Sequence, residues 1–143
     1  MSSKRGKIPR EIFLSHSSKD RRFALRLAQV LQDHGLPLWY SPTEIVGAQQ
    51  WIGEIGAALE RCDWFVLVLS PNAIRSEWVA AELGYALCEK RYENRIVPVL
   101  YRQCKLQGGF WPLARVQCVD LREGFTEGWR ELLAVWGKGY RGS

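Results

Sequence analysis

Long apolar runs are absent from this sequence of 143 residues. The two longest, Trp64–Leu69 and Ile96–Tyr101, are too short to cross a bilayer, and no signal-peptide core opens the chain. The apolar fraction of 47% and the charged fraction of 24% are those of an ordinary globular domain. We therefore expect a soluble, cytoplasmic protein that makes no membrane contact, with one domain at residues 9–137 between a basic tail at 1–8 and a C-terminal tail at 138–143.

Cysteine pairs and histidine clusters are also absent. Cys62, Cys88, Cys104 and Cys118 form no CxxC pair and have no histidine close by, so their spacing fits none of the usual zinc sites. Cys88 stands in an apolar helical pattern and Cys118 in a strand-like one, so we expect reduced, buried thiols. The sequence predicts no metal site.

Glycine-rich phosphate loops are a third absence. The chain has no GxGxxG motif and no Walker A lysine, which excludes a bound Rossmann cofactor and P-loop hydrolysis. A response regulator needs acidic residues after its first and third strands. This chain has Ser15-His16-Ser17 and Ser70-Pro71-Asn72 at those places. We therefore expect no resident cofactor.

Positive charge is concentrated at one end of the chain. The net charge is +5, and Lys4, Arg5, Lys7 and Arg10 supply four positive charges with no acid among the first ten residues. Of the 20 basic residues, 16 then remain beside 15 acidic ones. Because nucleic-acid binders concentrate basic residues on a face of the folded body, we expect no nucleic-acid binding.

Short apolar runs alternate with amphipathic stretches. The runs predict strands at Glu11–Ser15, Leu36–Tyr40, Asp63–Ser70, Arg95–Tyr101 and Val116–Leu121. The stretches predict helices at Asp20–His34, Gln49–Arg61, Ser76–Arg91 and Thr126–Trp136. This alternation predicts a flavodoxin-like α/β fold, a five-stranded parallel sheet of order 2-1-3-4-5 with helices on both faces. Pro98 predicts an edge or a bulge in the fourth strand, and Arg102–Arg115 predicts a loop with at most a short helix.

One acidic residue interrupts a helix that is otherwise small or apolar nearly all the way round. The helix beginning at Ser76 should be largely buried, and Glu82 shares a face with Trp78 one turn earlier. A carboxylate in such a place must be paired, protonated or functional. A purely structural alternative is an ion pair between Glu82 and Arg102 or Arg75.

Three motifs, in order along the chain, resemble the Toll/interleukin-1 receptor (TIR) domain family from about Pro9 to Trp136. Glu11–Asp20 (EIFLSHSSKD) is similar to the family's first box, and Trp64–Pro71 (WFVLVLSP) followed by Ser76-Glu77-Trp78 is similar to its second. Trp78-x-x-x-Glu82 matches the spacing of the family's NAD-cleaving members, and the His-Ser-Ser-Lys-Asp turn resembles bacterial members.

The segment Ser41–Trp51 corresponds to the family's BB loop. Ser41 stands where the family often has an acidic residue, and Val46-Gly47 replaces its frequent Pro-Gly. Both departures concern the conformation of this loop and its contacts with partners. Neither involves Glu82.

The resemblance implies NAD+ as a substrate, cleaved between nicotinamide and ribose, with Glu82 as the catalytic residue. Nicotinamide leaves a pyridinium as a neutral molecule, so the general acid of most glycosidases is dispensable. One carboxylate that holds the ribose hydroxyls and stabilises oxocarbenium-like charge could suffice. The implied substrate-binding residues are Phe13, Ser15, His16, Ser17, Trp39 and Trp78.

Each of these neighbours also has a structural alternative. Trp78 and Phe13 could be core residues, and His16 could merely hydrogen-bond its own turn. Ser17 with Asp20 could form a helix N-cap. Trp39, like Trp51, could either border the cleft or brace the BB loop.

Two functions remain open at the level of sequence. The first is an NAD+ glycohydrolase, releasing ADP-ribose or a cyclic variant, in bacterial defence or virulence and activated by self-association through Ser41–Gln50. The second is a non-catalytic TIR–TIR interaction module.

Overall fold

The computed structural model describes residues 8–40, 48–123 and 126–142. The strands are β1 (Ile12–Ser15), β2 (Leu38–Tyr40), β3 (Trp64–Leu69), β4 (Ile96–Leu100) and β5 (Val119–Asp120). The α-helices are α1 (Arg21–Asp33), α2 (Ala48–Arg61), α3 (Pro71–Ile74), α4 (Glu77–Cys88) and α5 (Thr126–Ala134). Short 3₁₀ helices lie at Ser18–Asp20, Lys90–Tyr92 and Gly108–Arg115.

The sheet is parallel throughout, with the order β2-β1-β3-β4-β5. The predicted flavodoxin-like fold and strand order are therefore confirmed. β3 pairs with β1 on one side and β4 on the other, and all of its residues are buried. A central strand covered by helices on both faces has no polar side, which explains its continuous apolar run.

The two faces of the sheet bury separate cores. Ile12 and Leu14 of β1 pack with side chains of α1 and α5, whereas Phe13 packs with side chains of α2 and α4. Because side chains alternate along a strand, Ser15 lies on the same face as Phe13. The last residue of β1 therefore presents a hydroxyl towards α4.

Pro98 lies inside the sheet, because β4 is flanked by β3 and β5. The prediction that β4 is an edge strand is therefore wrong. However, β5 has only two residues, which pair with Val99 and Leu100. Pro98 therefore pairs with β3 on one side and has no paired strand residue of β5 on the other. A missing N–H is tolerated on a side that has no paired strand.

Helix α4 is less buried than its sequence predicts. Its Ser76 N-cap accepts a hydrogen bond from the Val79 amide at 3.1 Å. Val79 and Leu83 face the core, but Trp78, Ala81, Gly84 and Leu87 are exposed on the outer side. An apolar pattern around a helix does not distinguish a covered side from an uncovered one.

The cysteines are also less buried than the sequence predicts. Cys62 is buried, but Cys88 is exposed on α4 and Cys118 is half-buried beside the short β5. All four thiols are free in the structure. The prediction of buried thiols is wrong for Cys88 and only partly met for Cys118.

The structure describes part of the predicted BB loop and most of the predicted C-terminal tail. Of the predicted loop Ser41–Gln50, residues 41–47 lie outside the described part, and Ala48 already begins α2. Within the predicted C-terminal tail, Tyr140 stacks on the ring of Trp129, and the Arg141 amide donates to Nε2 of His34 at 2.9 Å. The domain limits stay a prediction. No helix in the described ranges has the length and hydropathy needed to span a membrane.

Candidate functional site

Glu82 is a buried carboxylate on the second turn of α4, with a side chain only 6% exposed. Its Oε1 accepts a hydrogen bond from the hydroxyl of Ser15 at 2.6 Å. Ser15 ends β1, so this bond ties the helix to the carboxyl end of a strand near the centre of the sheet.

Glu82 has no cationic partner among the described residues. The ion pairs there involve other acids, and neither Arg102 nor Arg75 contacts it. Arg102 instead lies over the Tyr101 ring and donates to the Tyr101 carbonyl at 3.0 Å. Within the described part of the chain, the structural alternative of an ion pair is therefore wrong.

Burial without a counter-ion changes the acidity of this carboxyl. Removal from water raises the pKa of Glu82 to about 7, and the hydrogen bond from Ser15 opposes that rise. Glu82 therefore exchanges between its acid and carboxylate forms near neutral pH. A buried carboxyl whose pKa is shifted in this way is a candidate for catalysis.

An aromatic cluster lies on the same face of the sheet. Phe13 stacks on Phe65 with 5.5 Å between ring centroids and contacts the Trp39 ring at 5.2 Å. Phe13 is only 1% exposed, so it is a core residue, as its structural alternative stated. Trp39 is half-buried. The Trp51 side chain lies outside the described residues.

Trp78 lies one helical turn before Glu82 and is 44% exposed. It is not a core anchor, so that alternative is wrong. A large exposed ring beside a buried carboxylate offers a flat surface on which a ligand ring can stack.

His16 and Ser17 follow β1 but have different surroundings. His16 faces the Tyr40 ring, its Nδ1 is buried, and that atom has no hydrogen-bond partner among the described residues. Burial, followed by the nearby Arg21 guanidinium, lowers the pKa of His16 to about 4, so its ring is neutral at pH 7. Ser17 Oγ accepts from the Lys19 amide at 3.2 Å, which caps the 3₁₀ turn.

Sequence reasoning missed a polar network joining β1 to β3. Asp20 is 5% exposed and accepts hydrogen bonds from the Ser70 hydroxyl and, at 2.9 Å, from Asn72 Nδ2. Ser17 is the N-cap that its structural alternative stated, but the Asp20 carboxylate bonds Ser70, 50 residues away along the chain. The only sign of this network in the sequence was that polar residues follow β1 and β3. Arg21, also missed, has a buried Nη1 without a partner in the described part.

These groups gather where the strand order reverses. From β1 the chain passes to β2 on one side and then to β3 on the other, and the carboxyl ends of β1 and β3 carry Ser15 and Ser70. Open parallel sheets bind ligands at such a point. The described residues contain no cluster of three or more His, Cys, Asp or Glu side chains that could hold a metal ion. The site therefore offers two buried carboxylates, Glu82 and the hydrogen-bonded Asp20, together with hydroxyls and aromatic rings.

Comparison with known proteins gives a consistent result. A family model described as TIR domain matches residues 12–133. The 2' cyclic ADP-D-ribose synthase AbTIR of Acinetobacter baumannii is 28% identical over 97 residues, which cover 66% of this chain and 36% of that protein. TMV resistance protein N of Nicotiana glutinosa is 28% identical over 94 residues, which cover 64% of this chain and 8% of that protein. The matched part thus spans little more than a third of the first relative's length and less of the second's.

Solved structures share the fold. The TIR domain of the Toll-related receptor TRR-2 from Hydra magnipapillata superposes with a TM-score of 0.69 at 19% identity, over 85% of this chain and 93% of that one. The TIR domains of the activated Roq1 resistosome superpose with a TM-score of 0.62 at 19% identity, over 86% and 96%. At this identity the likeness concerns the fold alone.

Proposed function

The chain belongs to the TIR domain family, and from the geometry around Glu82 we propose that it cleaves NAD+ between nicotinamide and ribose. The observation that carries the proposal is a carboxylate that is 6% exposed, has no counter-ion among the described residues, and lies one turn after an exposed tryptophan. A structural role does not account for it, because an unpaired buried charge costs stability. Similarity to a 2' cyclic ADP-D-ribose synthase supports the same chemistry.

The proposed reaction needs one carboxylate. The bond between ribose C1′ and the pyridinium nitrogen breaks, and its electron pair stays on nicotinamide, which leaves as a neutral molecule. The ribose then carries oxocarbenium-like positive charge, which an ionised Glu82 stabilises while it accepts hydrogen bonds from the ribose hydroxyls. Water that attacks C1′ and releases a proton gives ADP-ribose. Attack by a hydroxyl of the same molecule gives a cyclic product.

The remaining predicted site residues take supporting roles in this proposal. The Ser15 hydroxyl fixes the orientation of the Glu82 carboxylate. Trp78 supplies a stacking surface for the nicotinamide ring, with Trp39 as a second aromatic wall. His16, as a neutral ring in the turn after β1, can form a hydrogen bond with a polar group of the substrate.

We also propose that activity requires self-association. The predicted contact, Ser41–Gln50, lies outside the described residues up to position 47. Support comes from the similar TIR domains of the Roq1 resistosome, an activated assembly that recognises a pathogen effector. A role in bacterial defence, in the cytoplasm, belongs to the same proposal.

The second candidate function is a non-catalytic interaction module. The exposed apolar side of α4, with Trp78 at 44% and Leu87 at 38% exposure, favours it because such side chains suit a protein contact. It gives no reason for a buried and unpaired Glu82.

The deciding experiment incubates concentrated protein with NAD+ and follows nicotinamide by chromatography. We expect release by the wild type and a loss of about a hundredfold or more in Glu82→Gln, the size of one lost transition-state contact. The matched control is Glu77→Gln on the same helix, because Glu77 is exposed. No release by the wild type at any concentration, or equal rates in all three proteins, would favour the interaction module.

A further inference from the structure

A cleft of about 300 Å³ lies on the face of the sheet opposite Glu82. Its described lining consists of arginine and aromatic side chains with one leucine. The arginines are Arg22 and Arg26 from α1, Arg102 after β4, and Arg122 after β5. The other lining residues are Phe23, Tyr101, Leu121 and Trp129. No acidic side chain is among these residues.

Aromatic rings hold two of the guanidinium groups in place. The Arg102 guanidinium carbon lies 4.0 Å from the Tyr101 ring centroid, and Tyr101 in turn stacks on Phe23 at 4.1 Å. The Arg26 guanidinium carbon lies 5.7 Å from the Trp129 centroid. Contact with a ring positions a guanidinium but leaves its full charge available. A ligand would therefore meet cations that are already oriented.

The positive charge of the cleft is only partly neutralised. Arg122 donates to Asp120 at 2.7 Å and to Gln103 at 2.5 Å, so one carboxylate compensates one of the four arginines. Arg22, Arg26 and Arg102 form no ion pair among the described residues. Like charges brought together in a concave surface favour a multivalent anion. The same charges would repel each other across a contact between two copies of this cleft, which disfavours a dimer formed through it.

We propose that this arginine cleft binds the di- or triphosphate group of a nucleotide, at a site separate from Glu82. Planar guanidinium groups match phosphate oxygens in a bidentate manner, and several of them suit an anion that carries several charges. The volume lies at the lower end of ligand sites, so it accommodates a phosphate chain rather than a whole dinucleotide. The inference is independent of NAD+ cleavage, because none of the lining residues forms a hydrogen bond or an ion pair with Glu82.

Isothermal titration with inorganic triphosphate, ATP and adenosine tests the proposal in the full chain. Arg22→Gln should raise the Kd for triphosphate about tenfold, and Arg22→Gln with Arg102→Gln about a hundredfold. The matched control is Arg130→Gln, which removes one exposed positive charge from α5 outside the cleft. It should change the Kd by less than about threefold, a small effect of net charge.

Comparing the three ligands tests whether the phosphate chain is the group that binds. ATP and triphosphate should compete for one site, and adenosine should not bind. The Glu82→Gln variant should bind triphosphate as the wild type does, whatever its activity on NAD+. Equal losses in Arg22→Gln and Arg130→Gln, or no binding at low salt, would overturn the proposal. Tighter binding of a single-stranded oligonucleotide than of triphosphate would overturn it in favour of a nucleic-acid surface.

Discussion

Two carboxylates at opposite edges of one sheet have contrasting surroundings. Asp63, just before β3, has its Oδ1 bonded to the amides of Arg10 and Glu11 at 3.0 and 3.2 Å. Arg95 lies 3.8 Å from its Oδ2, and the side chain is 16% exposed. Glu82, at the carboxyl edge, is more deeply buried, and the one hydrogen bond it forms with the described residues comes from Ser15.

The difference separates two uses of a carboxylate. Asp63 satisfies backbone N–H groups where the chain enters β1, so it contributes to stability at the amino edge. Within the described part of the chain, Glu82 accepts a hydrogen bond from one hydroxyl and from no backbone amide, so its negative charge destabilises the fold. A charge retained at a cost, at the edge where parallel sheets bind ligands, is a sign of function.

The largest predicted effect that sharpens this comparison is the pH dependence of stability. Glu82 has an ordinary pKa of 4.5 and a folded-state pKa of about 7, so folding takes up a proton between these values. Glu82 therefore does not change the free energy of unfolding below about pH 4.5. It lowers that free energy increasingly as the pH rises to about 7, and by a constant amount above pH 7. The full cost is about 3 kcal/mol.

Subtracting the unfolding free energy of Glu82→Gln from that of the wild type isolates this effect. The variant should match the wild type near pH 4 and be the more stable protein at pH 8. The measurement is thermal or urea unfolding of both proteins across this range. Parallel curves would mean that Glu82 is not buried and unpaired in solution.

Asp63 should behave in the opposite way. Asp63→Ala leaves two backbone amides without their acceptor and Arg95 without a partner, so it should destabilise the fold by about 2 kcal/mol. Asp63→Asn keeps one acceptor oxygen and should cost less. Urea unfolding at pH 7 measures both. A stabilising Asp63→Ala would remove the contrast between the two carboxylates.

The smallest predicted effect concerns Ser15. Its hydrogen bond lowers the pKa of Glu82, so Ser15→Ala should raise the pH midpoint of nicotinamide release. The rate at pH 7 should fall about threefold and recover at higher pH, because one neutral hydrogen bond amounts to under a pKa unit. Ser18→Ala, at an exposed position of the same loop, is the control. An unchanged midpoint would separate Ser15 from the chemistry.

The fold was predictable because its signals are local. Apolar runs and amphipathic periodicity depend on neighbouring residues, and they placed all five strands and their order. The wrong predictions concern burial, because the sequence of a helix does not show which of its sides another element covers. The outer side of α4 carries Trp78 and Leu87, which have the pattern of core residues although no described element covers them.

The site was only partly predictable. Glu82 was recognisable as one acid in an apolar helix, but its hydrogen-bonding partner was not, because the register between α4 and β1 decides it. The link from Asp20 to Ser70 and Asn72 joins segments about fifty residues apart and has no sequence pattern.

The arginine cleft shows the limit of charge counting. The first ten residues account for most of the positive excess, and the rest of the chain is close to charge balance. Arg22 and Arg26 are visible as neighbours one turn apart, but Arg102 and Arg122 join them only because β4 and β5 end side by side. Balance over a chain does not exclude concentration on a surface.

Nicotinamide release from NAD+ at pH 8 by Glu82→Gln and Asp63→Ala, each expressed per folded molecule, tests most directly whether Glu82 carries the chemistry. We expect Glu82→Gln to lose about a hundredfold or more while its fold is as stable as the wild type or more so. Asp63→Ala should keep the wild-type rate despite its lower stability. A fully active Glu82→Gln would mean that Glu82 does not carry the reaction.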